Sequence, residues 1–404
     1  MTVQHQITKG WVLFQVILLI TLAQFNSDIF LPSMPAMMLS LQVSIVEIQR
    51  VVLYAMIAFG VSLLVWGPIS DYYGRRPVAI AGLVIFALGS LFSALAVNLH
   101  WLVAGRVLQG VGISCTGALS PVIPKDIFQD KALLKAFSII SMAMAIIPIG
   151  AQVLGGVLQS VFSWRANFIT LMLYGAFILS ILTMYLPETN PNCRKGPMPL
   201  KRVLRQYWEV LTDRVFLGLL GCLIFVLTGE MLYTIVSPFW LQMDLGLSAF
   251  QNGLLSVFSG AGLFAGAWLS SRLANTKTAS ALILIGILHL TLSTLLMWTV
   301  TSMGWYSVWT LVLPYMLFMV GAGFIYPNAI ASIIDRFPDN AGIAGALMSA
   351  LQMAGAGMMS AALRLWVFTP YHLALFFGVL VILVALSFYV STDKGNNAEL
   401  VPGL

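Results

Sequence analysis

Charge is what this chain has least of. Asp, Glu, Lys and Arg together make up 8% of its 404 residues, against 60% hydrophobic residues. A soluble globular chain carries roughly 25% charged residues, so the shortage excludes an ordinary water-soluble fold. A bilayer accommodates such a chain, because lipid tails tolerate apolar surface and penalise unpaired backbone polar groups. Cysteine is scarce as well. Cys115, Cys193 and Cys222 are scattered without ligand spacing, which implies neither a disulfide framework nor a metal site. His289, alone in an apolar run, reads as a packing or hydrogen-bonding residue. The glycine-rich stretches 260–266 and 321–323 lack the lysine of a phosphate loop and suit close helix packing instead. With no nucleophile–histidine–acid arrangement either, the chain is not expected to be an enzyme. No cofactor, metal or nucleic-acid partner is expected. A cleavable leader is not expected, since residues 1–10 are short and polar and Trp11 opens a run long enough to span.

What is present is apolar length. A spanning helix needs about 20 mainly apolar residues, and twelve such runs are expected at 11–33, 47–69, 77–97, 101–123, 136–158, 166–186, 215–240, 249–272, 279–300, 307–331, 342–364 and 371–391. The spacers are short except for 187–214, which is rich in proline and basic residues. The expected organisation is an all-α membrane protein of twelve transmembrane helices, with a six-helix half over 1–190, a linker over 191–213 and a second half over 214–404. The net charge of +6 is read as an orientation signal. With the N-terminus in the cytoplasm, sixteen of the twenty Lys and Arg residues fall in cytoplasmic segments and three (Arg50, Arg165, Arg364) on the other side. The positive-inside rule therefore favours both termini inside.

The motifs narrow the class. The loop after the second span reads GPISDYYGRRP, from Gly67 to Pro77. Gly67 permits close helix approach, Gly74 a tight turn, and Asp71 can face Arg75, Arg76 or a helix N-terminus. The competing reading is a solvated basic turn that only sets topology. The fourth span contains GRVLQGVG, in which Arg106, Gln109 and Gly110 share a face. The competing reading for Arg106 is an arginine snorkelling to the interface, about five residues or roughly 8 Å from Trp101. The fifth span carries AIIPIGAQVLGG with Pro148, Gln152, Gly155 and Gly156. The first pattern resembles the loop between helices 2 and 3 of the major facilitator superfamily. The second and third resemble motifs of its proton-antiporter branch, with Gln152 where relatives usually have a second proline. DIFLPSMP, SWRANF, LPET, SPFWLQ and AGIAGALMSALQ are similar to the bicyclomycin-resistance-like branch of twelve-span drug/proton antiporters. The resemblance implies the major facilitator fold, a conformational latch at Gly67, Asp71, Gly74, Arg75 and Arg76, and helices 1, 4, 7 and 10 around a central cavity.

Twelve of the fourteen acidic residues fall in loops or at helix ends. The exceptions are Asp28 in the first span and Glu230 in the seventh. A carboxylate in hydrocarbon is costly unless paired, hydrated or protonated, and is functional by default. Asp28, Arg106 and Glu230 are the expected proton-coupling residues, all in the outer half of the membrane. Glu230 precedes Pro238 by eight residues, roughly 12 Å. Gln24, Asp28, Gln109, Glu230, Tyr233, Thr234 and Ser237 form the expected substrate-binding set, because each acid has a polar stripe on its face. The competing readings are a helix-capping role for Asp28 before Pro32 and a structural hydrogen bond for Glu230.

With no nucleotide site, energy is expected from an ion gradient. The expected function is proton-coupled export of drugs or small amphipathic, cationic compounds by a monomer in a bacterial inner membrane. Its partners are a small-molecule substrate, protons and the lipid bilayer. An alternative is a dedicated exporter of a physiological metabolite such as a siderophore or peptide. A non-transporting receptor or assembly protein is a third reading, with little reason to retain Asp28, Arg106 and Glu230 in the membrane.

Overall fold

A computed structural model describes residues 9–190, 193, 200–338, 341–363 and 369–392. Four charges used to orient the chain (Arg194, Lys195, Arg364 and Lys394) lie outside the described residues, as do positions 191–192 and 194–199 of the expected linker. Among the described residues there are fifteen α-helices and no strand. They are α1 (Lys9–Asp28), α2 (Met34–Leu41), α3 (Ile45–Tyr73), α4 (Arg75–Ala94), α5 (Leu99–Leu119), α6 (Val122–Ile127), α7 (Asp130–Val161), α8 (Trp164–Tyr185), α9 (Leu200–Leu211), α10 (Arg214–Phe239), α11 (Ala249–Leu273), α12 (Ala279–Ser302), α13 (Val308–Arg336), α14 (Ala341–Leu363) and α15 (Pro370–Ser391). Eleven stretches of the described chain are long and apolar enough to cross a bilayer. The remaining expected span, 136–158, lies inside α7, whose 32 residues make it roughly 48 Å long.

Two boundaries differ from the apolar pattern, for local reasons. The first run stops being an α-helix at Asp28 and passes through a 3-10 turn, Leu31–Ser33, into α2. Pro32 has no amide hydrogen to give to the Asp28 carbonyl, which ends the regular ladder. The linker, for its part, contains a regular helix, α9. Other starts are capped by side chains. Ser44 and Glu47 form a capping box on α3, and Asn98, Asp213, Thr278 and Thr369 each accept from an amide in the first turn of the helix that follows.

The helices gather into two compact units. One comprises Met1–Met198 with Gln242–Ser256, and the other Pro199–Leu241 with Val257–Leu404. In the first, α5 packs against α4, α3 and α1. The α4–α5 seam is lined by small residues one face apart: Gly82 meets the Gly112 carbonyl and Cys115, while Gly89 meets the Gly105 carbonyl. Small residues let backbones approach where burial alone gives membrane helices little reason to associate. This seam fixes the height of Arg106 on α5. In the second unit α10 packs on α13, α14 and α15, which sets Glu230 beside α13.

The seam makes a direct prediction. A Cβ on Gly112 would lie within 3 Å of the Phe86 backbone, so Gly112→Val should destabilise the protein by about 1–3 kcal/mol through overpacking. Gly345→Ala, where a Cβ meets nothing within 4 Å, should leave the melting temperature unchanged. Thermal unfolding in detergent distinguishes the two, and equal melting temperatures would show that the seam is not tightly packed.

Candidate functional site

In the first unit the central feature is Arg106, 2% exposed in the middle of α5. Its Nη1 donates to Asn26 Oδ1 at 2.9 Å, to the Asn26 carbonyl at 3.2 Å and to Gln109 Oε1 at 2.9 Å. Gln109 Nε2 passes the network on to Ser90 Oγ at 2.7 Å, and the guanidinium lies 4.1 Å over the Phe30 ring. Arg106 is thus buried in the protein and does not snorkel to an interface. Gln109, one turn away on the same face, orients it. The sequence reading missed Asn26, Ser90 and Phe30. Asn26 is a polar residue inside an apolar span, and that was its available signal. Asp28 is half-buried in the last turn of α1, and Gln24 is half-buried one turn earlier.

In the second unit Glu230 sits on α10, and the Tyr326 hydroxyl of α13 donates to its Oε2 at 3.0 Å. Beside it the Tyr233 ring stacks on Tyr315 at 3.5 Å between centroids, and the aromatic run continues through Phe318 to Phe377. Gly229 leaves room for the Phe318 ring. Thr234 turns its hydroxyl back to the Glu230 carbonyl, 2.6 Å away, and Ser237 is buried before Pro238. The arrangement sets one carboxylate one helical turn from a stacked tyrosine pair, and a carboxylate among aromatic rings is chemistry that suits an organic cation. Tyr326 was not anticipated. It directly precedes Pro327, a proline inside α13, and an aromatic at a helix irregularity was the only hint.

The motif between α3 and α4 forms a polar knot within the first unit. Gly74 adopts φ +105°, a conformation side chains disfavour, and a Cβ there would collide with the Glu188 carboxylate. That carboxylate accepts from the amides of Arg75 (2.8 Å) and Arg76 (3.2 Å), holding an anion at the positive end of α4. Arg75 donates to Asp71 at 2.5 Å, to Ser70 at 2.7 Å and to Asp126 at 3.4 Å, while Arg76 Nη2 reaches the Thr183 carbonyl at 2.6 Å. Glu188, supplied by LPET, is the residue on which this corner converges. Among the described residues, no atom beyond Gly67's chain neighbours and its own helix backbone lies within 4 Å of where a Cβ would stand, so none of them makes the close helix approach expected there.

The fifth-span motif is a packing surface. Gly155 lies against the Ile29 carbonyl, Gly156 against Ala249 and Phe250, and the Gln152 carbonyl against Gly253, all within the first unit. Pro148 lies inside α7.

Over residues 16–361 the sequence matches the Major Facilitator Superfamily. The chain belongs to that superfamily. It is 32% identical over 348 residues to Multidrug resistance protein D of Escherichia coli (strain K12), covering 86% of this chain and 87% of that one. Against the Bicyclomycin resistance protein homolog of Haemophilus influenzae it is 25% identical over 384 residues, covering 92% and 94%. Its backbone matches the crystal structure of a D-xylose-proton symporter with a TM-score of 0.77 at 15% identity, over 95% and 98% of the two chains. That likeness shows the fold. The resemblance to the bicyclomycin-resistance-like branch is borne out by these relatives. The protein is a multi-pass transporter of the bacterial inner membrane and not an enzyme.

The Arg106 network carries a prediction of its own. Asn26→Ala removes both side-chain acceptor and shape from a buried guanidinium and should cost about 1–3 kcal/mol, lowering the melting temperature. Asn26→Asp keeps an acceptor and should recover most of the loss. An Asn26→Ala protein as stable as the parent would show that Asn26 does not support Arg106.

Proposed function

We propose that this protein is a proton-coupled antiporter that exports drugs or small amphipathic, cationic compounds by alternating access. The observation that carries the reading is Glu230, a carboxylate inside a membrane helix, held by the neutral Tyr326 hydroxyl beside the stacked rings of Tyr233 and Tyr315. A carboxylate with that surrounding can take a proton or face a cation, and the two events exclude each other. The names of the bacterial multidrug-resistance and bicyclomycin-resistance relatives support drug export.

In this reading the six-helix halves are 1–190 and 214–404, joined by the linker 191–213, with both termini in the cytoplasm and the protein working as a monomer. Asp28, Arg106 and Glu230 couple protons, and Gln24, Gln109, Tyr233, Thr234 and Ser237 complete the substrate surface. Arg106 is oriented toward α1, the helix that carries Asp28, by its hydrogen bonds to Asn26 and Gln109. Gly67, Asp71, Gly74, Arg75 and Arg76 form the latch, and Pro148, Gln152, Gly155 and Gly156 shape the helix that moves. Protons enter as cargo leaves.

The test is transport in proteoliposomes under an imposed proton gradient, against a panel of cationic, zwitterionic and neutral compounds. Asp28→Asn should abolish proton-driven transport while the protein still folds. Glu230→Gln should raise the half-saturation concentration for cationic compounds by roughly tenfold, equivalent to about 1.4 kcal/mol, and leave neutral compounds nearly unaffected. Undiminished proton-driven transport by Asp28→Asn would overturn the coupling role. An equal loss for cationic and neutral compounds would overturn the cation role of Glu230.

A further inference from the structure

The linker helix α9 has a use that its role as a connector does not require. Its sequence, LKRVLRQYWEVL, sorts cleanly at about 100° per residue. Val203, Val210, Leu200, Tyr207, Leu211, Leu204 and Trp208 share an arc of about 160°, and Lys201, Arg202, Arg205, Gln206 and Glu209 fill the rest. Only part of that arc is used for packing. Val210, on one flank, is fully buried, and α9 packs against α10 and α14 of its own unit. On the other flank Leu204 is 57% and Trp208 69% exposed. The positions next to that exposed flank on the helix are Lys201 and Arg205, one turn apart. Three bases and one acid give the helix an excess of positive charge, and Glu209 is paired with Arg205 at 3.0 Å.

The corner that follows fixes where this helix can be. Only Thr212 and Asp213 separate α9 from the membrane-crossing α10. Asp213 caps α10 through the Phe216 amide at 2.8 Å and binds Arg336, at the end of the membrane-crossing α13, at 3.0 Å. The end of α9 is therefore pinned where two spanning helices of its unit meet the membrane face. A basic amphipathic helix held there, with Trp and Leu uncovered beside its bases, has the composition of an interfacial segment.

We propose that α9 docks on the bilayer surface, with Leu204 and Trp208 immersed below the headgroups and Arg205 against anionic phospholipid. The partner is the membrane itself, and the attraction depends on its negative charge. Helix α9 is then anchored to the bilayer beside α10 and does not hang in solution.

The experiment uses the full chain in nanodiscs, made either with phosphatidylglycerol or with phosphatidylcholine alone. Cys115, Cys193 and Cys222 are replaced by alanine, and a nitroxide is attached through Trp208→Cys or, as the polar-face control, Gln206→Cys. The Trp208 label should be relaxed by oxygen more than by a water-soluble nickel chelate in anionic discs, and the Gln206 label should show the reverse order. Hydrogen exchange of the α9 amides in the unsubstituted protein, which needs no variant, should slow in anionic discs relative to phosphatidylcholine discs. The slowing should shrink by roughly fivefold for each basic residue removed by Lys201→Gln or Arg205→Gln. Nickel-dominated relaxation at Trp208 in anionic discs would place the helix in water and overturn the proposal. So would shielding from both reagents with spin–spin broadening, which would mean a second copy covers the face, or shielding without broadening, which would mean protein of the same chain covers it.

Discussion

The hydrocarbon core of a bilayer cannot solvate a bare peptide group or an isolated charge, and most of the organisation described here answers that constraint. The helices close their own backbone hydrogen bonds along the spanning segments, and where the ladder is interrupted a substitute is near. At the break after α1, Pro32 accepts at its carbonyl from Gln242 Nε2 at 2.8 Å, and the Ser33 hydroxyl accepts from Asn167 Nδ2 at 2.7 Å. The irregular segment is thereby satisfied from two directions. Threonine and serine hydroxyls turn back onto their own helices in the same spirit, as Thr228 does to Ile224 and Thr234 to Glu230. The polar side chains that do not serve backbone geometry are then the informative ones.

Two ionisable groups, Arg106 and Glu230, are each held by hydrogen bonds with uncharged side chains, one in each unit. A guanidinium in the first is hydrogen-bonded by Asn26 and Gln109, and a carboxylate in the second by Tyr326. Neutral partners orient a charge without cancelling it. A typical hydrogen bond contributes about 0.5–1.5 kcal/mol net, whereas breaking a buried ion pair costs about 3–5 kcal/mol. Exchanging one neutral hydrogen-bond partner for another is therefore cheaper than breaking a buried ion pair.

How much of this was legible in the sequence follows from contrast. Asp28, Arg106 and Glu230 stand out because each is a charge in an apolar run, so their positions could be named without any structure. The branch motifs and the relatives' names agree for the same reason, since glycine, proline and charge at fixed offsets survive as visible patterns. Asn26, Ser90 and Tyr326 did not stand out. Their residue types occur throughout membrane helices, and their importance comes from registers set across 80 residues between Asn26 and Arg106, and across 96 between Tyr326 and Glu230. Helix α9 was hidden for a different reason. Its proline-rich and basic surroundings read as spacer, and a twelve-residue amphipathic period is lost beside apolar runs twice its length.

Glu188 shows how a motif can be recognised for the wrong property. LPET marked a branch of the family, yet the physical work lies in one carboxylate that receives two amides of α4 across 112 and 113 residues. Gly74 makes that approach possible, because any side chain in its place would occupy the carboxylate's position. The Asp71–Arg75 pair beside it is largely exposed on the aspartate side, 69%, and an exposed ion pair contributes little by itself. The Glu188 carboxylate, which receives two backbone amides as an anion at a helix N-terminus, is the better candidate for what holds the corner in register. On that argument the stability of the corner rests on the pairing of Gly74 with Glu188, and the ion pair of Arg75 with Asp71 adds little to it.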